Sequence, residues 1–265
     1  MNVPPEDFVR VPYDAMHAFV SKAGQTVGLP EDKADLLAQL LAENDMRGVY
    51  SHGTQQITQY AILMRDGTLN NNPQLKVVRE TPSSLMVDGD GGLGYFPCHE
   101  GTRRVVEKAE ERGMAAMMTW NHGHFGAAGI YTRMTLGHDL LAFVTSGHQL
   151  DLQPGNSVYG AAGGSPMAFS APTTGEDPMV LDFGTMHDLY AGSPHRDDIA
   201  RMAPGLVLRS IGLGVICQSW GYLLAGMSMD APRAVREYEG AYQGSLVVVF
   251  QISLFADPDH FKHQM

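Results

Sequence analysis

The N-terminal part of the chain repeats apolar residues at helical spacing. This periodicity predicts one helix over residues 12–23, a second that begins at Pro30, and a third over residues 57–64. Pro30 and the two acidic residues after it are typical of the first turn of a helix. Proline loses no hydrogen bond there, and acids favour the positive end of the helix dipole. We therefore expect the chain to begin with a layer of helices.

Farther along the chain, short apolar runs that are typical of strands alternate with helical patterns. The predicted strands are residues 75–78, 84–87, 115–118, 140–145, 167–171, 179–183 and 246–252. The predicted helices are residues 98–112, 125–136 and 213–224. Residues 186–206 show no regular pattern. Interleaved helices and strands indicate an α/β fold, or a mixed α+β fold.

The same pattern predicts how the chain is divided. We expect a helical N-terminal part over residues 1–72 that packs with residues 206–265. Residues 73–205 are expected to form a central domain built on a sheet. No internal repeat or low-complexity segment interrupts this division.

Composition and charge narrow the class of protein. The chain has 265 residues, of which 44% are hydrophobic and 18% charged, as in ordinary globular proteins. Its net charge of −11 argues against nucleic acid or an anionic membrane surface as a partner. Cys98 and Cys217 lack CxxC spacing, which argues against a disulfide framework or thiolate metal site. The N-terminus has no apolar signal core and no run of 18 apolar residues occurs, so we expect a cytoplasmic protein without a membrane span.

One glycine-rich run lies between a predicted strand and a predicted helix. Residues 89–94 read Gly-Asp-Gly-Gly-Leu-Gly and satisfy the GxGxxG pattern of dinucleotide-binding loops. That interpretation also requires an acidic residue at the end of the next strand. The chain has Trp120, Asn121 and His122 there. We therefore interpret these glycines as turn residues and not as a Rossmann fingerprint.

Two loops that contain histidine are candidates for chemistry. Ser51-His52-Gly53 joins two predicted helices and follows Arg47, whereas His122 and His124 follow a predicted strand. Neutral histidine suits proton transfer near neutral pH, serine can hydrogen-bond a substrate oxygen, and arginine can hold an anion. A structural interpretation is equally open, in which His122 stabilises a turn, His124 caps the following helix and Arg47 forms a surface or structural ion pair. No carboxylate accompanies the histidines at a helpful spacing, so we expect no metal.

Four motifs together resemble the malate/L-lactate dehydrogenase family, which also holds ureidoglycolate dehydrogenase, diketogulonate reductase and cyclic imine reductases. In chain order they are DMRGVYSHG from Asp45, GHFGAAG from Gly123, GSPMAFSAP from Gly164 and MVLDFGT from Met179. The resemblance extends from Val11 to about Thr185. It implies a cofactor domain of non-Rossmann type, NADH or NADPH as cofactor, a small-molecule substrate and a homodimer.

The resemblance also implies roles for individual residues. His124 matches the histidine that donates or accepts the proton in some members, and His52, beside Ser51, matches the candidate in others. The residues that would bind the substrate are Arg47, Gln56, Tyr60 and His122. The residues that would line the cofactor are Ser146, Gly164, Ser165, Pro166, Asp182, Phe183, Gly184 and Arg209. Asp182 could orient a histidine or bind a ribose hydroxyl, or it could be a turn or helix-capping acid.

Three features depart from the family pattern. Gln56 stands where members usually have an arginine that grips the substrate carboxylate, and Arg209 stands where they have a lysine. The stretch between Thr185 and Arg209 is much shorter than in the dehydrogenases, and the chain stops early after Phe255. A neutral amide cannot replace the charged, bidentate grip of a guanidinium. We therefore expect a divergent, shortened member with a substrate unlike malate or lactate.

The resemblance implies an oxidoreductase that transfers hydride between NAD(P)H and a C=O or C=N carbon, with a histidine that moves the proton. The substrate would be a specialised molecule, as in biosynthesis. Two alternatives stay open. One is a redox-inactive descendant that uses the two-histidine cleft for cyclisation, isomerisation or elimination. The other is a binding protein that keeps only the scaffold.

Overall fold

The computed structural model describes residues 6–148, 165–185, 195–226 and 236–265, without the side chain of Arg196. Its first layer consists of three helices, α1 (Tyr13–Thr26), α2 (Glu31–Met46) and α3 (Gln56–Arg65). Their apolar faces turn inward, and Leu37 and Leu41 of α2 are fully buried. The periodicity therefore predicted this helical layer correctly.

The described strands form one seven-stranded sheet in the order β1-β2-β3-β7-β4-β5-β6. Their bounds are β1 Lys76–Thr81, β2 Ser84–Asp88, β3 Met114–His122, β4 Leu140–His148, β5 Pro166–Ala171, β6 Met179–Gly184 and β7 Gln243–Gln251. Among them only β2 and β3 pair in parallel; every other described pair is antiparallel. A Rossmann sheet is mostly parallel, so the predicted mixed α/β fold of non-Rossmann type is confirmed.

Five further helices accompany the sheet in the described part of the chain. They are α4 Tyr95–Arg112, α5 Gly129–Arg133, α6 Arg196–Met202, α7 Pro204–Gly221 and α8 Pro258–Gln264. Helix α4 connects the parallel strands β2 and β3, and α5 packs against β4, β5 and β6. Helix α7 lies on β4 and β7.

Two predicted helices have different bounds in the structure. The helix expected over residues 125–136 is reduced to α5, because Gly126 has φ +83° and a side chain there would meet the ring of Tyr95 at 2.5 Å. The helix expected from residue 213 begins at Pro204, within the stretch that showed no regular pattern. Proline at the first turn explains that start.

The expected packing of residues 206–265 with the helical part over residues 1–72 stays a prediction: Gly240 N–H donates to the carbonyl of Thr68 at 2.9 Å, whereas β7 of the same segment belongs to the central sheet. Strand β7 lies inside the sheet between β3 and β4, and Val247 and Val249 on it are fully buried. A strand that is apolar along its length and paired on both sides belongs in the interior of a sheet. The C-terminal part of the chain therefore completes the central sheet.

Helix α7 and the turn after it, Pro204–Ala225, form a segment long and apolar enough to cross a membrane by length and composition alone. The absence of an 18-residue apolar run had predicted no such segment. Its contacts with β4 and β7 are those of a helix that packs on a sheet, and a side chain at Gly221 would collide with the backbone of Ser146 and Gly147.

Candidate active site

The loop that carries His52 is fastened to the end of α2. The carboxylate of Asp45 accepts hydrogen bonds from the backbone N–H and the hydroxyl of Thr54, at 3.0 and 2.5 Å. The side chain of Asn44 donates to the carbonyl of His52 at 2.9 Å. A side chain at Gly53 would stand 1.7 Å from Asp45 Oδ1, so only glycine lets the loop approach this closely. His52 is thus held by the helical layer.

His124 comes from the other side of the cleft, where β3 ends. Its carbonyl accepts a hydrogen bond from Gly94 N–H at the start of α4, at 3.0 Å. Its Nδ1 is 2.6 Å from the hydroxyl of Tyr60, which is in turn 3.2 Å from the hydroxyl of Tyr95. The rings of His124 and His52 stack with their centroids 5.3 Å apart. The structure therefore brings together the two histidines that the motifs predicted as catalytic.

Both histidines are neutral at physiological pH. Burial lowers the pKa of His124 to about 3, helped by the like charges of His52, His148 and His122. Burial also lowers the pKa of His52, against the opposing field of the Asp182 carboxylate. A neutral imidazole has one nitrogen that accepts a proton and one that donates. Because Tyr60 occupies Nδ1 of His124, Nε2 is the nitrogen left for a ligand, and none of the described residues bonds it.

The predicted substrate contact by His122 stays a prediction, and the structure gives this residue a role within the fold. Its side chain is fully buried, and both ring nitrogens are used within the fold. Nδ1 donates to the carbonyl of Gly123 at 2.7 Å, so Nε2 accepts from the hydroxyl of Thr119 at 2.7 Å. The chain of hydrogen bonds continues from Thr119 to Ser245, at 2.6 Å, and from Ser245 to Cys98, at 2.9 Å. His122 therefore stabilises the end of β3.

We expect His122 to make the stability of the protein depend on pH. Burial lowers its pKa to about 4 in the folded state, against about 6.5 in the unfolded chain. The unfolded state then binds more protons below pH 6.5, so the stabilising contribution is complete above that pH and is lost as the pH falls toward 4. The contribution is on the order of 3 kcal/mol. Urea unfolding between pH 7 and 5 should show a smaller pH slope for His122→Asn than for wild type; equal slopes would contradict this role.

The other predicted substrate residues have partners in the fold. Tyr60 is only 2% exposed, and its hydroxyl positions His124; its predicted substrate contact stays a prediction. The side-chain amide of Gln56 donates to the carbonyl of Ser51 at 2.6 Å and so holds the histidine loop. Arg47 forms an ion pair with Glu43 at 3.0 Å along the exposed side of α2, as the structural interpretation of this arginine expects. A substrate role for Gln56 and Arg47 stays a prediction.

An acidic group on the sheet and a basic group on α5 lie near each other and near the histidine pair. Asp182 on β6 accepts a hydrogen bond from the backbone N–H of Gly129 at 2.8 Å, which fixes the first turn of α5 against the sheet. The half-buried guanidinium of Arg133, one turn farther along α5, lies beside the same glycine. Burial and the charge of Arg47 lower the pKa of Arg133, whereas Asp182 opposes that change. The motifs did not point to Arg133, although its spacing from Gly129 places both on one face of α5.

The predicted cofactor residues lie mostly at one edge of the sheet. Ser146 is buried on β4, and Pro166 on β5 pairs with Gly184 on β6. Phe183 pairs with Met167 in the same ladder. Gly164 lies outside the described residues. Arg209 is exposed on α7, and no described contact joins it to the cleft. The cofactor role of each remains a prediction.

The buried hydroxyl of Ser165 fits a site that binds a polar ligand. Its side chain is fully buried, and its hydroxyl has no hydrogen-bond partner among the residues that the structure describes. Its carbonyl accepts from both the backbone N–H and the hydroxyl of Thr185. A buried polar atom without a partner is costly, so a ligand hydroxyl or amide would repay that cost.

The backbone N–H groups of Gly89 and Gly91, in the glycine run at residues 89–94, form hydrogen bonds within the protein. The N–H groups of Gly89 and Gly91 donate to carbonyls at the end of β3, each at 2.9 Å. Gly91 has φ +74°, and a side chain there would meet the ring of Tyr238 at 2.1 Å. Since these N–H groups are not free to hold phosphate, the structure supports their interpretation as turn residues.

One histidine near this cleft was missed by sequence reasoning. His148 is the last residue of β4, half-buried, and burial lowers its pKa to about 4. Its charge is among those that lower the pKa of His124. The available signal was the alternation along β4, which places His148 on the same face as Ser146.

The fold and the cleft are those of an α/β protein with a mixed, non-Rossmann sheet and a pair of stacked histidines. The model of the malate/L-lactate dehydrogenase family matches residues 11–187, so the chain belongs to this family. The predicted family is thereby confirmed.

Individual relatives agree with this assignment. Malate dehydrogenase from Pyrococcus abyssi is 32% identical over 180 residues, which cover 68% of this chain and 49% of the relative. Ureidoglycolate dehydrogenase (NAD(+)) from Escherichia coli is 23% identical over 179 residues, 67% of this chain and 51% of the relative. The matched part thus spans about half the length of these relatives. The solved structure of malate dehydrogenase from Pyrococcus horikoshii shares the fold, with a TM-score of 0.78, 23% identity, and coverage of 97% of this chain and 80% of that one.

Proposed function

We propose that this protein is an NAD(P)-dependent oxidoreductase that transfers hydride between a nicotinamide and a C=O or C=N carbon. The observation that carries the proposal is the stacked pair of His52 and His124, in which Tyr60 anchors Nδ1 of His124. The anchored ring presents Nε2 to a ligand. The relatives of this protein carry dehydrogenase names, which supports the same class of reaction.

The residues on the sheet fit a nicotinamide cofactor. Ser165 has a buried hydroxyl without a described partner, Ser146 lies on the neighbouring strand, and Asp182 presents a carboxylate that can accept from a ribose hydroxyl. These residues would hold the cofactor. A bound nicotinamide would accept a hydride from the reacting carbon or donate one to it.

His124 performs the proton step in this proposal. In the oxidation of a hydroxyl group, neutral Nε2 accepts the hydroxyl proton as the hydride leaves the same carbon. In this proposal Nδ1 of neutral His124 donates its proton to the Tyr60 hydroxyl, and the low pKa of the ring in the free protein then leaves Nε2 unprotonated for this task. In the reverse direction the protonated ring returns its proton to the oxygen or nitrogen. Tyr60 keeps the ring of His124 oriented. The Ser51 hydroxyl lies 2.8 Å from Nδ1 of His52 and orients that ring in the same way.

A redox-inactive acid–base enzyme is the second candidate. The observation that favours it is the position of Arg209, a predicted cofactor residue that lies exposed on α7, while the histidine pair is complete without it. Titration of the purified protein with NADH and NADPH, followed by nicotinamide fluorescence, separates the two candidates. Saturable binding of either nucleotide supports the oxidoreductase, and the absence of binding overturns it.

We expect Asp182→Ala to weaken NADH or NADPH binding by about 10- to 100-fold, because a hydrogen bond to a charged group contributes about 1.5–3 kcal/mol. Asp182→Asn keeps an acceptor for Gly129 N–H and so tests the carboxylate apart from the fold. Asp177, exposed on the β5–β6 connection, gives a matched control as Asp177→Ala, which should bind normally. Gly91→Ala should disturb folding only; a folded Gly91 variant that selectively loses NADPH affinity would contradict the assigned site.

A further inference from the structure

The register of the sheet places His148 beside the cleft. Across neighbouring strands, Gln243 of β7 pairs with His122 of β3 on one side and with His148 of β4 on the other. Paired strands lie about 4.8 Å apart, so His148 is two strands, or about 10 Å, from the point where β3 turns into the His124 loop. Both histidines thus stand at the same end of the sheet.

The side chain of His148 faces the side of the sheet that carries the cleft. Successive side chains on a strand alternate between faces, so His148 shares a face with Val144 and Ser146, which are buried against the core. The residue between them points the other way: a side chain at Gly147 would strike Tyr222, next to the end of α7. The backbone N–H of His148 donates to Gln218 on α7 at 2.9 Å, which fixes the end of β4.

The ring of His148 belongs to the same region as the stacked pair of His52 and His124. The charges of His52 and His148 both act to lower the pKa of His124, in agreement with the register that places His148 at this end of the sheet. His148 differs from His122, whose two nitrogens are both bonded within the fold. No described residue hydrogen-bonds the ring of His148. Its donor and acceptor are therefore available to a ligand.

We propose that His148 is a substrate-contacting residue that hydrogen-bonds a hydroxyl or carbonyl group on the carbon next to the reacting carbon. This rests on the proposed function, in which the reacting carbon lies at Nε2 of His124. A neutral imidazole offers one donor and one acceptor and no charge. It therefore favours a substrate with a neutral polar group beside the reacting carbon.

Glycerate and lactate of the same hand test this contact, because glycerate adds one hydroxyl on the carbon next to the reacting carbon. With NADH bound, wild type should bind glycerate about 3- to 10-fold more tightly than lactate, the effect of one neutral hydrogen bond. His148→Ala should abolish that preference, and His148→Asn, which keeps a donor and an acceptor, should restore part of it. His138→Asn is the matched control, since His138 is exposed and pairs with Glu110.

A preference that is absent in wild type, or unchanged in His148→Ala, overturns the proposal. NMR of ¹³C-labelled histidine rings checks the placement without a substrate: His148→Gln should shift the ring signals of His124 and leave those of His138 unchanged. Unshifted signals of His124 would also overturn it. Failure of wild type to bind NADH or NADPH would instead overturn the proposed function, so the two failures are distinguishable.

Discussion

Replacement of His124 by alanine should lower turnover by about two to four orders of magnitude, the usual contribution of one positioned general acid or base. Nε2 is the nitrogen that Tyr60 leaves for the substrate, and no other described group occupies that place. His52→Ala should cause a loss of similar size if His52 moves the proton. The larger loss therefore identifies the proton-transferring residue. Turnover is measured at saturating cofactor, with circular dichroism to confirm folding.

Two comparisons separate chemistry from positioning. Tyr60→Phe removes only the hydroxyl that holds Nδ1, so it should lower turnover less than His124→Ala and should alter its pH profile. His138→Ala, an exposed histidine remote from the cleft, should turn over normally. Near-normal turnover in both His124→Ala and His52→Ala would show that the two-histidine site is wrong.

Simple 2-oxo acids should be poor substrates, by about a hundredfold or more in catalytic efficiency relative to the native substrate. The side chain of Gln56 is neutral, and its amide already donates to Ser51, so it offers no charged grip for a carboxylate. An arginine at this position would add charge-assisted hydrogen bonds worth about 1.5–3 kcal/mol each. Gln56→Arg should therefore raise any trace activity on oxaloacetate or pyruvate.

The matched control for Gln56→Arg is a substitution that disturbs the histidine loop without adding charge. Gln56→Met removes the hydrogen bond to Ser51 and keeps a side chain of similar length, so any gain unique to Gln56→Arg reports on the guanidinium. Kinetics with oxaloacetate, pyruvate and a cyclic imino acid give the measurement. Brisk reduction of oxaloacetate or pyruvate by the unmodified protein would refute the idea that Gln56 marks a changed substrate.

Periodicity predicted the elements of this fold better than their arrangement. The apolar spacing located α1, α2 and α3, and the run around Val247 located β7, because local pattern reflects local geometry. The place of β7 between β3 and β4 depends on pairing between residues far apart in sequence, which no local pattern encodes. The short α5 depends on a contact between Gly126 and Tyr95, which is also non-local.

In the candidate active site, too, the local sequence predicted some features, and contacts between distant residues decide the others. The motifs identified His52 and His124, because their neighbouring glycines and small residues mark close backbone approaches. They could not separate His124 from His122, because burial and the bonds to Thr119 and Gly123 decide that difference. His148 and Arg133 escaped notice because their importance comes from facing the cleft across the sheet, and not from their neighbours in sequence.

The stacked pair is assembled from two separately anchored halves. His52 is tied to α2 through Asn44, whereas His124 is tied to the start of α4 through Gly94. A misplacement of about 1 Å can cost a hundredfold in rate. Substitutions that merely tilt α2 should therefore silence the protein while leaving it folded. Over evolutionary time, the helical layer and the sheet must change in concert, and exchanging either for that of a distant relative should yield a folded but inactive hybrid.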